Sequence, residues 1–173
     1  MDAFSCAACP RRCGALRKPA QPSGGFCGMP AGFVVAQAAL HQWEEPCISG
    51  QHGSGTVFFS GCSLRCVYCQ NQQISLGRYG ALVTEENLLR MFDRLIEQGA
   101  HNLNLVNPTH YAPMLAKALK KYCSPVPVIY NSGGYERVEM LKALEGLVDI
   151  YLPDLKYVDS AVSLRYSGAA DLF

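Results

Sequence analysis

GSGTVFFSGCSLRCVYCQN, residues 53–71, joins a short strand to a cysteine loop. TVFFS (56–60) is a run of β-branched and aromatic residues, the composition of a pleated, half-buried segment, and it stops at Gly61. Cys62, Cys66 and Cys69 follow as Cys-x3-Cys-x2-Cys, with Tyr68 directly before the last. That spacing lets three thiolates converge on one cubane from a loop with no regular backbone. Ordinary iron–sulfur carriers use four cysteines, one per iron. Three leave one iron with an open position, the feature that separates a catalytic metal site from a structural one. A zinc site would need a fourth ligand, and the nearest candidates, His52 and His41, lie upstream on other elements. The zinc reading is therefore weaker, and buried cysteines without metal are weaker still.

Downstream the pattern alternates between strands and helices. Thr84 is a good N-cap, with Glu85 and Glu86 in a first turn where the helix dipole favours negative charge. Leu88, Phe92, Leu95 and Ile96 fall on one face, and Gly99 is placed to end the helix. NLNLVN (102–107) reads as a second strand, and Pro113 near its start introduces a helix bearing Leu115, Ala116 and Leu119. VPVIY (126–130) reads as a third strand, Glu136 to Leu144 as a helix with Val138, Leu141 and Leu144 inward, and LVDIYLP (147–153) as a fourth strand. Strand–helix repetition of this kind implies right-handed parallel βαβ units, hence half a barrel or a small open sheet. The chain stops after the start of a fourth helix, so it reads as truncated.

In parallel α/β folds functional residues collect at the C-terminal ends of strands. Asn107-Pro108-Thr109-His110 follows the second strand, YNSGGYE (130–136) spans the end of the third, and Asp154-Leu155-Lys156 follows the fourth. Two glycines in YNSGGYE allow a close backbone approach to a ligand, although a plain strand-to-helix turn has the same composition. Asp154 and Lys156 are two apart on an extended segment and point the same way; a surface ion pair is the bland alternative. His110 is read as a polar-network residue before a catalytic one.

Residues 1–54 form a Cys-rich segment, irregular and with little periodicity, and residues 55–173 the α/β core. Cys6, Cys9, Cys13 and Cys27 give Cys-x2-Cys-x3-Cys-x13-Cys. Four thiols are a full set for structural zinc or for a second iron–sulfur cluster, with free thiols in a loop as the alternative. Arg11, Arg12, Arg17 and Lys18 would offset the negative charge of such a centre. Cys47 reads as structural and Cys123 as a small apolar core residue. His41, Trp43, Glu44 and Glu45 read as a packed strap, with the mouth of a substrate site as the alternative.

The N-terminus lacks the apolar core of a secretory signal, so nine cysteines without an export route point to metal before disulfides and to a cytoplasmic protein. The longest apolar stretch, residues 31–40, is far short of a bilayer span, which argues against a membrane partner. A net charge of +1 argues against nucleic acid.

The three-cysteine loop, its place after a strand and the βαβ series resemble the radical S-adenosylmethionine (SAM) superfamily. The wording is similar to the pyruvate formate-lyase activating enzyme group, in particular an uncharacterised branch with a Cys-rich N-terminus, a stretch like HQWEEPCISG (41–50), then NPTHY, YNSGGYE and YLPDLKY. The resemblance implies a (β/α)6 TIM-like barrel, here partial and cut off after about four strands. It implies a [4Fe–4S] cluster on Cys62, Cys66 and Cys69, with SAM chelating the open iron. Reductive cleavage of SAM would give a 5′-deoxyadenosyl radical that takes a hydrogen atom from a glycyl radical enzyme, with flavodoxin or ferredoxin as electron donor. The alternatives are a radical reaction on a small molecule or another protein site, and a non-catalytic Fe–S or zinc-binding fragment. By the same resemblance Asn131 and Ser132 contribute to the SAM site, and Asp154 and Lys156 lie at the SAM methionine end. One departure stands out: the Gly-Gly-Glu that holds the SAM amino group in related enzymes is replaced by Asn107-Pro108-Thr109, so backbone carbonyls near Pro108, or Thr109, would have to substitute.

Overall fold

A computed structural model describes residues 2–172. Two short antiparallel strands, β1 (Phe4–Ser5) and β2 (Leu16–Arg17), open the chain. β3 (Phe33–His41), a single-turn helix α1 (Pro46–Ser49) and β4 (Ser54–Phe59) follow. After the cysteine loop come α2 (Gln72–Ser75), β5 (Ala81–Val83), α3 (Glu85–Glu97), β6 (Leu103–Val106) and α4 (Ala112–Leu119), entered through a 3-10 turn at Thr109–Tyr111. β7 (Val128–Ser132), α5 (Val138–Ala143), β8 (Ile150–Pro153) and α6 (Ser160–Ser167) complete it.

β3 to β8 form one sheet in the order β5-β3-β4-β6-β7-β8. β4, β6, β7 and β8 run parallel, as the βαβ pattern requires, while β3 pairs antiparallel with both β4 and β5. Along each strand alternate residues face opposite sides. Val57, Phe59, Leu103, Leu105, Val128 and Tyr130 pack with Leu88, Phe92 and Leu95 of α3 and Leu115, Ala116 and Leu119 of α4 in one core. The other side carries the register row Thr56, Asn104, Ile129 and Ile150. Thr84 caps α3 as its residue type dictates, its side chain accepting from the Asn87 N–H. The helix runs to Glu97, and Gly99 follows one residue past the C-cap with φ +91°.

Three sequence expectations need correction. The stretch before residue 54 is not irregular throughout: residues 33–41 form a nine-residue strand inside the main sheet. It pairs with β5 through Phe33–Val35 and with β4 through Val35–His41, but its run FVVAQAALH lacks apolar–polar alternation and its alanines disfavour a strand by propensity alone. Val138 does not point inward; it is exposed, whereas Leu141 and Leu144 do pack on the core as expected. Cys123 is exposed rather than a core residue, because it falls in the loop after α4. No helix among the described residues is long and apolar enough to cross a membrane.

Candidate functional site

The parallel strands deliver four segments to one edge of the sheet. β4 ends at Phe59, and Gly61 two residues on adopts φ +81° and donates its N–H to the Ile74 carbonyl at 2.9 Å. A side chain there would meet Met29 Cγ at 2.5 Å, so the entry to the cysteine loop needs glycine. Asn107, at the end of β6, also has positive φ, donates its N–H to the Asn131 carbonyl at 2.8 Å, and hydrogen-bonds the Gly61 carbonyl through its amide nitrogen. The loops after β4 and β6 are thereby tied to each other and to the end of β7.

Within the cysteine loop, Leu64 is the buried anchor. It packs with Cys66, Tyr135, Tyr157 and Ala169. Cys66 is buried and accepts from Ser167 Oγ at 3.0 Å; Cys62 accepts from the Leu64 N–H at 3.3 Å. The Tyr68 ring meets Tyr157 and Tyr166 edge-on at 6.1 and 6.2 Å. Burial pushes the Cys62 thiol up, the N–H groups of Arg65 and Leu64 pull it down, and Cys66 and Cys69 add to the rise. Cys62 therefore lies close enough to both other thiols of the loop to feel them.

The Gly133–Gly134 turn after β7 lies against this loop. A Cβ on Gly133 would sit 2.9 Å from Leu64 Cδ1 and 3.3 Å from Lys156 Cε. Lys156 Nζ meets Asp154 Oδ2 at 2.6 Å. Burial disfavours its ammonium, but the hydrogen bond and charge of Asp154, with the charges of Cys66 and Cys62, outweigh that and hold its pKa above the usual lysine value. Cys62, Cys66, Gly133 and Lys156 thus share one end of the fold. Ser132 is buried and accepts the Gly134 N–H at 3.3 Å, so its hydroxyl serves the turn. Asn131 is half-buried and donates to Glu44 Oε2 at 3.5 Å.

The stretch read as a packed strap is not packed along its length: Trp43 and Glu45 are exposed, and Glu44 reaches in to Asn131. Burial raises the Glu44 pKa, with Glu45 and Asp154 adding to it against His41. Thr109, where the Gly-Gly-Glu is missing, donates to Glu136 Oε1 at 2.5 Å, and Tyr130 donates to Oε2 at 3.0 Å. Burial pushes Glu136 up despite these donors. Tyr130 shares the YNSGGYE stretch with Glu136, whereas Thr109 comes from the end of β6, 27 residues away, and no local spacing announces that pair. His110 is fully buried with Nε2 2.8 Å from the Ser60 carbonyl, and burial, with Arg17 and Arg65 nearby, drops its pKa to about 3. It is a neutral network residue.

The N-terminal thiols form a separate group. Cys6, Cys9 and Cys27 are buried and Cys13 is exposed. Burial, reinforced by Cys27, Cys6 and Cys13 and opposed by a hydrogen bond from the Arg11 backbone, raises the Cys9 thiol to about 11. Among the described residues no three or more His, Cys, Asp or Glu side chains already converge on a single metal position, in either cysteine set. The donor chemistry of the three-cysteine loop nonetheless fits an iron–sulfur cluster. Three thiols stand on one loop, N–H and O–H groups already point at two of the sulfurs, and a lysine lies close enough to feel them.

A family model described as the Radical SAM superfamily matches residues 56–169. An uncharacterized protein of Methanocaldococcus jannaschii is 29% identical over 177 residues, covering 98% of this chain and 50% of its own length. The chain thus spans about half the length of that curated relative.

Proposed function

The chain belongs to the radical SAM superfamily, and from that premise we propose that it cleaves SAM reductively and passes the radical to a glycyl radical enzyme. Membership implies a [4Fe–4S] cluster and SAM. Cys62, Cys66 and Cys69 are the ligands this reading assigns, on a sheet read as part of a (β/α)6 barrel. When bound, the cluster and SAM supply a 5′-deoxyadenosyl radical able to abstract a hydrogen atom.

The chain's own residues have the following work. Lys156 holds the carboxylate of SAM, with Asp154 orienting it. Asn131 and the Gly133–Gly134 turn form the wall of the SAM site, and Ser132 shapes that turn. Thr109 and Glu136 take the place of the missing Gly-Gly-Glu: an acid fixed by the hydroxyls of Thr109, Ser132 and Tyr130 is a suitable partner for the SAM amino group. A flavodoxin or ferredoxin supplies the electron. The observation that carries the reading is the juxtaposition of three thiols, a glycine turn and Lys156 at the C-terminal ends of parallel strands.

The test is anaerobic reconstitution followed by dithionite reduction. The reading expects a [4Fe–4S]+ EPR signal that changes on adding SAM, and a glycine-centred radical on a co-incubated glycyl radical enzyme. A SAM response with no glycyl radical would reject the substrate and leave the SAM chemistry standing; a cluster signal indifferent to SAM would reject both.

A further inference from the structure

Arg17 is 1% exposed and has no carboxylate partner among the described residues. Its Nη2 donates to Cys27 Sγ at 3.2 Å, and its Nε and Nη1 have no hydrogen-bond partner. The ring faces of Phe4 at 5.9 Å and Tyr111 at 5.7 Å lie near it, and the neutral His110 is close enough to feel its charge. A guanidinium cannot shed its proton, and a buried charge without a counter-ion is strongly unfavourable. Two aromatic faces offset only part of that cost. The hydrogen-bonded group beside it able to carry a full negative charge is the Cys27 sulfur, one of four cysteine sulfurs in this segment.

The local backbone gathers those sulfurs. β1 and β2 pair Phe4 with Arg17, and the Cys6 N–H donates to the Ala15 carbonyl at 3.0 Å. The Arg12 N–H closes a turn on the Cys9 carbonyl at 3.1 Å, and the Gly28 N–H closes another on Gly25 at 2.9 Å, around Cys27. A Cβ on Gly25 would lie 3.1 Å from Cys13 Sγ, so the turn carrying Cys27 packs on the loop carrying Cys13.

We propose that Cys6, Cys9, Cys13 and Cys27 form a closed four-thiolate metal centre, separate from the three-cysteine loop, with Arg17 as its buried counter-charge. A divalent zinc or a [4Fe–4S]2+ core bound by four thiolates carries net negative charge, which is what the orphaned guanidinium requires. Binding converts the four thiols to thiolates and releases their protons. Cys13 is the ligand that closes the site: it is exposed and lies between Arg12 and Gly14, both at positive φ, whereas the other three thiols are already buried. The shared chemistry is a thiophilic metal; the metal count distinguishes zinc from iron and sulfide.

The experiment uses the full chain, prepared anaerobically. Metal and sulfide are measured for the wild type, for a Cys62→Ala/Cys66→Ala/Cys69→Ala variant and for a variant with Ser at positions 6, 9, 13 and 27. The triple-Ala protein is expected to keep either about one zinc or about four irons with sulfide, and the Ser variant to lose that metal. A triple-Ala protein with native circular dichroism and no metal overturns the proposal. If that variant does not fold, the wild type decides: metal beyond a single four-iron cluster supports the centre, and about four irons with no zinc refutes it. Two further readouts are independent of SAM chemistry, so their failure is distinct from failure of the function proposed above. Cys13 is expected to alkylate fast in metal-stripped protein and slowly after metal is restored; equal rates contradict its role as a ligand. Arg17→Met is expected to weaken metal retention against a chelator about tenfold or more, the loss of one charged contact; unchanged retention removes Arg17 as the counter-charge.

Discussion

Arg11 Nε donates to the Ser63 carbonyl at 2.8 Å, joining the loop between Cys9 and Cys13 to the loop between Cys62 and Cys66. Its other two nitrogens reach the carbonyls of Ser167, at 2.5 Å, and Gly168, at the C-terminus of α6 where a cation is favoured. Its guanidinium also lies 4.0 Å over the Phe26 ring. Because Ser167 in turn donates to Cys66, one arginine braces the three-cysteine loop from two directions.

Arg11→Met should therefore leave the cluster able to form but less well held. The expected loss is about 1.5–3 kcal/mol of local stability, the cost of a charged hydrogen bond. Arg11→Lys should resemble it, since one ammonium cannot span three carbonyls. The measurement is the decay of the cluster's visible absorbance against a chelator, expected to be several-fold faster in both variants. An unchanged decay in Arg11→Met would show that the brace is idle.

None of this bracing was legible in the sequence. Arg11 and Ser63 are 52 residues apart, and Ser167 and Cys66 are 101 apart, so no local spacing announces either pair. What was legible is what local chemistry dictates: the strand into the cysteine loop, the Thr84 cap, the parallel order of β4, β6, β7 and β8. β3 was missed because its run FVVAQAALH is apolar nearly throughout and alanine-rich, with no alternation to mark a strand, and β5 because three residues carry too little signal. Cys123 was misplaced because a lone apolar residue after a helix has no periodicity to fix its direction, and Val138 because it is the first residue of α5, where the periodicity it shares with Leu141 and Leu144 has not yet reached the core.

Gly134→Ala should be costly in a way that Gly146→Ala is not. Both glycines have φ +73°, but a Cβ at 134 would lie 2.6 Å from the Asp154 carbonyl oxygen, whereas nothing lies within 4 Å at 146. Each change incurs backbone strain of about 1–3 kcal/mol. Only the first also displaces the segment leading to Lys156. Thermal unfolding should drop further for Gly134→Ala, and SAM affinity should fall in that variant alone. Equal behaviour of the two would argue against the close packing of the turn on Asp154.

His110 sets a pH dependence of stability. Its pKa is lowered by burial to about 3 from the usual 6.5. Between those values the unfolded chain binds a proton that the folded chain does not, so stability is full above about 6.5 and declines as pH falls toward about 3. By pH 5.5 the loss is about 1.4 kcal/mol. His110→Gln keeps a donor for the Ser60 carbonyl and removes the titration. Denaturant midpoints at pH 7.5 and 5.5 should therefore separate more in the wild type than in the variant; equal separations would mean that His110 is accessible to protons when folded.

Lys156→Ala should weaken SAM binding by roughly 1.5–3 kcal/mol, about 10- to 100-fold, with no loss of iron. Calorimetric titration of SAM into reconstituted protein measures this. Full affinity in the variant would reduce Lys156 to the partner of Asp154 at 2.6 Å and nothing more.

The most direct measurement is 5′-deoxyadenosine, quantified by chromatography after anaerobic reconstitution and addition of dithionite and SAM. The account predicts 5′-deoxyadenosine with methionine in equal amounts from the wild type, and none from Cys62→Ala, Cys66→Ala or Cys69→Ala. Product from any one of those variants at the wild-type level, or a reconstituted wild type that holds its cluster and never cleaves SAM, would contradict it.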